Sequence, residues 1–141
     1  MIRRLLVTLA SIAVTGSAAA AQAPAVPTDS LAFARKLSEW FFTGQKDSLW
    51  AHSSADVKKQ LEKPDSYVEA LNDLSARAGS EEKVVEEKFV KRKGNTQYWR
   101  TSKYSLAGEP VMVRFAFSPD FTIIGIGMNP ASEAPEIDPI K

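Results

Sequence analysis

The stretch EWFFTGQKDSLWAHS, residues 39–53, holds two of the chain's three tryptophans, two adjacent phenylalanines and its only histidine. An imidazole moves protons near neutral pH and an aromatic wall excludes water, so this combination has the ingredients of an active site. His52 can serve as a general base or as an orienting donor at a pocket mouth. A base of that kind works with a partner, and no triad-type or metal-type partner accompanies it in the sequence. One histidine and no cysteine also argue against zinc. His52 is therefore read as structural or partly exposed, and is kept as a cavity candidate. Trp40, Phe41, Phe42 and Trp50 have two readings as well. They can line an apolar ligand cavity, or fill the space between two helices and a sheet. A chain without disulfides must be held together by packing, which favours core. Trp50 is the one expected to reach a cavity.

Other chemistry is thin. There is no Gly-x-Ser-x-Gly, and GIGMNP at 125–130 fails the dinucleotide fingerprint because Pro130 takes the third glycine's place. Lys91, Arg92 and Lys93 form a basic run that reads as a solvated hairpin tip. Glu81, Glu82, Glu86 and Glu87 read as charges guarding a sheet edge against pairing with another chain. Tyr98 and Trp99 stand on opposite faces of one strand, so one of them looks inward, and alternation leaves open which. Tyr67 and Trp99 join Trp50 and His52 as cavity candidates. Arg114 lies between Val113 and Phe115, which point away from it. It is expected on the solvent face against Glu86 or Glu87, or in an interface if that face pairs with a second copy.

The elements that must position these residues follow a preface that is read as an export signal. Arg3 and Arg4 give a basic start, Leu5 to Val14 a short apolar run, and Thr15 to Ala21 small residues, with cleavage expected after Ala21. The apolar run falls short of the ~20 residues of a membrane span. With no cysteine to carry a lipid, the mature chain is expected to be periplasmic or secreted, without a stable membrane anchor. Loss of Arg3 and Arg4 reduces the 18 basic residues to 16, against 17 acidic. That balance offers no footprint for nucleic acid or an anionic membrane. About 120 residues remain, enough for one domain with one core.

QAPAVP opens a linker over 22–28, and Thr28 or Asp29 can cap a first helix. Leu31, Ala34, Leu37 and Phe41 recur at helical spacing, and Gly44 ends the helix. A short helix carries Leu49 and Trp50, and Ser53 or Ser54 caps a third with Val57 and Leu61 inward. Pro64 suits the first turn of a fourth, which carries Tyr67, Leu71 and Leu74 and closes at Gly79. From there the period becomes two. Residues 82–92, 96–105, 110–117 and 121–128 read as strands joined by the turn signals KGN, LAG and SPD. Short turns require an antiparallel meander. The fold class expected is therefore α+β, with N-terminal helices packed on a curled four-stranded sheet. Residues 131–141, with two prolines after Pro130 and an acidic bias, are expected to form a mobile tail.

FFTGQKDSLWAHSSADVKKQL, a further helix, and a meander closing in VMVRFAFSPDFTIIGIGMNP resemble the nuclear-transport-factor-two-like (cystatin-like cone) superfamily over about residues 29–130. Within it the chain is similar to a small bacterial domain of unknown function, often found preceding α/β-hydrolase or β-lactamase-like domains. On that resemblance, residues 1–141 are expected to hold the cone without the hydrolase half, with Pro130 onward corresponding to what would be a linker in longer relatives. The resemblance implies a cone with a cavity, and a homodimer through the sheet face with Arg114 in the interface. Isomerase-like members use a cavity carboxylate with a tyrosine-type donor. The third and fourth strands here carry no acid on their apolar face, which counts against that chemistry. The expectation is a non-catalytic binding domain of the cell envelope, with a small apolar ligand and no cofactor. The alternatives are a small isomerase- or hydrolase-like enzyme using the same cavity, or an accessory subunit of an envelope hydrolase.

Overall fold

A computed structural model describes residues 28–139. The export signal read at 1–21 and the linker up to residue 27 lie outside the described residues. Four helices precede four strands: α1 (Thr28–Phe42), α2 (Lys46–Ala51), α3 (Ala55–Leu61), α4 (Asp65–Ala78), β1 (Glu81–Arg92), β2 (Asn95–Tyr104), β3 (Val111–Phe117) and β4 (Ile123–Pro130). The strands form one open antiparallel sheet in sequence order. This is the expected α+β class. β4 begins two residues later than its apolar pattern suggests, because Phe121, with φ of +62°, still belongs to the turn.

The helix ends follow local chemistry. Ser54 accepts from the amide of Val57 at 3.2 Å and caps α3. Gly44 and Gly79 end α1 and α4 with φ of +69° and +82°, a region that costs glycine little. At Gly79 the requirement is also spatial, since a Cβ there would collide with Ser105 Oγ and Leu106. Leu106 then donates to Ala78 O at 2.8 Å and Ser105 to Ser80 O at 3.0 Å, which seats the start of β1 beside the end of β2.

The core lies between the helices and one sheet face. Ala34, Leu37 and Phe41 of α1, Leu49 of α2, and Tyr67, Leu74 and Ala78 of α4 meet Tyr98, Val113, Phe115, Phe117 and Ile123. Tyr98 therefore is the inward member of its pair. The stretch 39–53 is largely part of this core: Phe41 and Leu49 are fully buried, and Trp40, Phe42 and Trp50 pack against the rim.

The opposite sheet face carries no helix, yet Trp99 is only 2% exposed and Met112 3%. The tail, over the described residues 131–139, folds back toward the β1–β2 hairpin at the far edge and the far end of the sheet. Asn129 Nδ2 donates to Glu133 O at 2.8 Å, and Arg92 Nε to Glu136 O at 3.1 Å. The Asp138 amide donates to Lys91 O at 2.8 Å, and its carboxylate accepts from the amides of Lys93 (2.8 Å) and Gly94 (2.9 Å). The Lys93–Gly94 turn, with positive φ at both residues, leaves those two amides free to be bonded. Prolines in 131–139 cannot add a strand but suit this extended crossing.

Candidate functional site

The side of β2 facing the helices alternates Tyr98, Arg100, Ser102 and Tyr104, and all but Arg100 are buried. A charge on that face needs partners. They come from β1, where two bulges, between Glu81 and Lys83 and between Val84 and Glu86, replace strict alternation. The result is that Glu81, Val84 and Glu87 share the inner face, while Val85 is left half-exposed on the other.

Arg100 grips Glu81 with both arms of its fork, Nη2 to Oε1 at 2.6 Å and Nε to Oε2 at 3.0 Å. Ser102 Oγ adds a third donor to Glu81 at 2.9 Å. Glu87 stands 3.6 Å from Arg100 Nη1, and accepts from the Tyr98 hydroxyl and, at 3.2 Å, from Arg35 of α1. The guanidinium also lies over the Phe42 ring, 5.7 Å from its centroid. Burial by itself would raise the Glu87 pKa. The bonds from Tyr98 and Arg35 and the two guanidinium charges outweigh it and hold the carboxyl below its usual value. Burial, reinforced by the bond to Glu87, pushes Tyr98 up to about 12. Arg100 is raised, chiefly by its bond to Glu81, and stays charged.

This network forms one wall of a cleft of about 390 Å³ between α1, α4 and the β1–β2 edge. Phe42, Leu71 and Leu74 make its apolar surface; Ser75, Ser80, Glu81 and Arg100 make its polar end. Tyr104 also lines it. Among the described residues, the Tyr104 hydroxyl is the buried side-chain polar atom with no protein partner. Its pKa is raised, first by burial and then by the Glu81 charge, so it remains a protonated donor.

The four cavity candidates from the sequence do not line this cleft. His52 is exposed at the end of α2, its ring 4.8 Å from Trp40 and 5.8 Å from Phe33, with Nδ1 2.9 Å from Ser48 O. Its backbone matters more than its ring: His52 O accepts from the Ile123 amide at 2.7 Å and ties the α2–α3 junction to β4. Trp50 is half-buried with the Lys58 ammonium 5.8 Å above its ring. Tyr67 is a core residue whose hydroxyl pairs with Ser53 Oγ at 2.6 Å, and Ser53 in turn donates to Leu49 O. Trp99 is on the outer face, opposite Lys88 and Arg114, its indole donating to Gln97 at 2.8 Å.

Arg114 meets neither Glu86 nor Glu87. It lies two strands from β1, opposite Gly127, and donates to Asn129 Oδ1 at 3.1 Å. The register explains the change, since Trp99 of β2 stands between Arg114 and Lys88 of β1.

Sequence reading missed Arg100, Glu81, Glu87, Tyr98 and Tyr104 as a unit. The signal available was Tyr-x-Arg-x-Ser-x-Tyr at period two, which puts a charge on a face bounded by two tyrosines. Among the described residues no group of three or more His, Asp or Glu stands together as a metal site. No helix among them is long and apolar enough to cross a membrane. Compared with known proteins, the chain matches no family model, no curated protein and no solved structure.

Proposed function

We propose that this protein is an exported, non-catalytic binding domain of the cell envelope, and that its ligand sits in the cleft between α1, α4 and the β1–β2 edge. One observation carries the reading: the cleft joins an apolar surface to a polar end whose charges are already matched to each other. Such a lining orients a small molecule. Glu81 is engaged by three donors, Glu39 is paired with Lys36, and His52 is elsewhere, so the reading assigns no acid or base to the site. General acid–base catalysis needs a group free to exchange a proton with the substrate. The polar end also modifies the ligand expected from sequence, from purely apolar to amphiphilic. The α+β order of elements is compatible with the cone superfamily that the sequence resembles.

The test is native mass spectrometry of the protein purified from the periplasm. The expected result is an added mass that denaturation releases, together with a chain starting at Gln22. A bare protein mass, with no stabilisation by any small-molecule set tried, would remove the ligand reading. A start at Met1 would remove the export reading separately.

Pairing of two copies through the sheet face is a weaker second reading. Arg114 is engaged with Asn129, and Glu136 and Asp138 are bonded to the β1–β2 hairpin, so a partner on that face would compete with these bonds.

A further inference from the structure

The cleft's chemistry restricts what it can hold, and this step rests on the binding reading above. Each formal charge on the wall has its opposite in contact: Arg100 with Glu81 and Glu87, Arg35 with Glu87, and Glu39 with Lys36. A carboxylate or phosphate entering beside Arg100 would have to replace Glu81, which already takes two parallel bonds from the guanidinium. An ammonium beside Glu81 would have to replace Arg100 and Ser102. Either guest would lose hydration and break a matched pair whose side chains are only 19% and 20% exposed; Arg35 and Glu39, more than half exposed, hold their charges in solvent and offer a guest little. An uncharged guest disturbs nothing.

The second observation concerns hydrogen bonding. Buried hydroxyls are ordinarily paired, and Tyr104, 5% exposed and part of the cleft lining, is not. A phenol held protonated beside a carboxylate is a donor seeking an acceptor, and a carbonyl, ether or hydroxyl oxygen fits that need. The hydroxyl is covered, so an acceptor that reaches it must part the side chains around it. The bond then gained offsets that movement.

We propose that the cleft selects an uncharged amphiphile, its apolar body against Phe42, Leu71 and Leu74 and a hydrogen-bond acceptor delivered to the Tyr104 hydroxyl. The cleft of about 390 Å³ sits near the small end of ligand pockets, so the guest is a short-chain or single-ring molecule rather than a whole lipid.

Three probes with one alkyl chain and different heads test the class: octanamide, octanoate and octylamine, each titrated into the purified protein at pH 7 and followed by backbone amide shifts. Octanamide should move the amides of Leu71, Leu74 and Tyr104, with the two charged probes weaker by at least about tenfold. Tyr104→Phe should weaken octanamide by roughly three- to tenfold, the range of one neutral hydrogen bond, and leave the weak octanoate binding as it was. Leu71→Trp, which fills the cleft, should abolish the shifts at Leu74 and Tyr104. Octanoate or octylamine binding the cleft as tightly as octanamide would overturn the uncharged class and leave the cleft as a ligand site. Octanamide binding that ignores Tyr104→Phe would overturn the acceptor assignment. Binding by none of the three would overturn the amphiphile. If the native protein also carried no bound mass, the binding reading itself would fall.

Discussion

Tyr67 and Tyr104 are buried to a similar degree, 2% and 5% exposed, yet the same substitution should move stability in opposite directions. Tyr67→Phe removes a bond of 2.6 Å to Ser53 Oγ. Ser53 keeps its donation to Leu49 O, so it is not orphaned, and the loss should be that of one ordinary bond, about 1 kcal/mol. Tyr104→Phe removes no bond among the described residues. It removes instead a hydroxyl that folding desolvates without return, a penalty with a ceiling of about 1–3 kcal/mol. Packing of the ring is retained in both variants. Tyr104→Phe should therefore be neutral or stabilising by up to about 1 kcal/mol, a separation of roughly 1–2 kcal/mol between the two. Urea unfolding at fixed m reads this as a midpoint difference on the order of 0.5–1 M. The reasoning is refuted if Tyr104→Phe is destabilised as much as Tyr67→Phe, for then the hydroxyl has a partner in the folded state. The same measurement with saturating octanamide should narrow that gap by about 0.7–1.4 kcal/mol, the three- to tenfold affinity difference expressed as stability, because the Tyr104 hydroxyl retained in Tyr67→Phe then has an acceptor.

Three further outcomes follow from the polar wall and the tail. Arg100→Leu strands Glu81 and Glu87 and should cost about 2–3 kcal/mol by urea unfolding. That is below the ~3–5 of a fully buried pair, because Arg100 and Glu81 side chains are 19% and 20% exposed; adding Glu81→Gln should recover part of it, and strict additivity would deny the pairing. Glu87 has a folded pKa held below its ordinary value of 4.5. Its contribution is complete above that value and is lost as pH falls through the lower folded value, so Glu87→Gln should flatten the acid limb of stability below about pH 4.5. An unchanged acid limb would show that the carboxylate is not held by Tyr98 and the two arginines. Ending the chain at Ser132 should make Trp99 accessible to acrylamide quenching, measured against the same truncation carrying Trp99→Phe. Continued protection of Trp99 would mean that something other than the tail covers the outer face.

Residues of the stretch 39–53 show how far local sequence reaches. Gly44, with Phe41 before it and Leu49 after it, announces a helix break closed over by apolar side chains, because helix ends and apolar stripes are encoded within a few residues. The meander was legible for the same reason, from alternation in β3 and the short turns between strands. Ser54 as a cap and Gly79 as a stop required only their neighbours.

The cleft was a different matter. Glu81 and Glu87 look like edge charges on β1, and only the register that pairs them with Tyr104 and Arg100 reveals that they face inward. The two bulges that set this face are invisible to a period-two reading. Trp99 and Tyr98 differ by one residue, and alternation cannot say which lies under the helices; the choice depends on where α1 and α4 pack. The tail's prolines mark it as unfit for a strand, but its docking depends on two amides freed by a hairpin at the far side of the sheet. The sequence by itself determined the element types, their order and the ends of the helices, since those rest on interactions spanning about one turn or one hairpin. The tertiary structure decided which face of the sheet became core, which charges found partners and which hydroxyl was left without one. Those outcomes depend on contacts across strands and between layers, as between Glu81 and Arg100, Glu87 and Tyr98 or Arg35 and Glu87, whose geometry no local pattern carries.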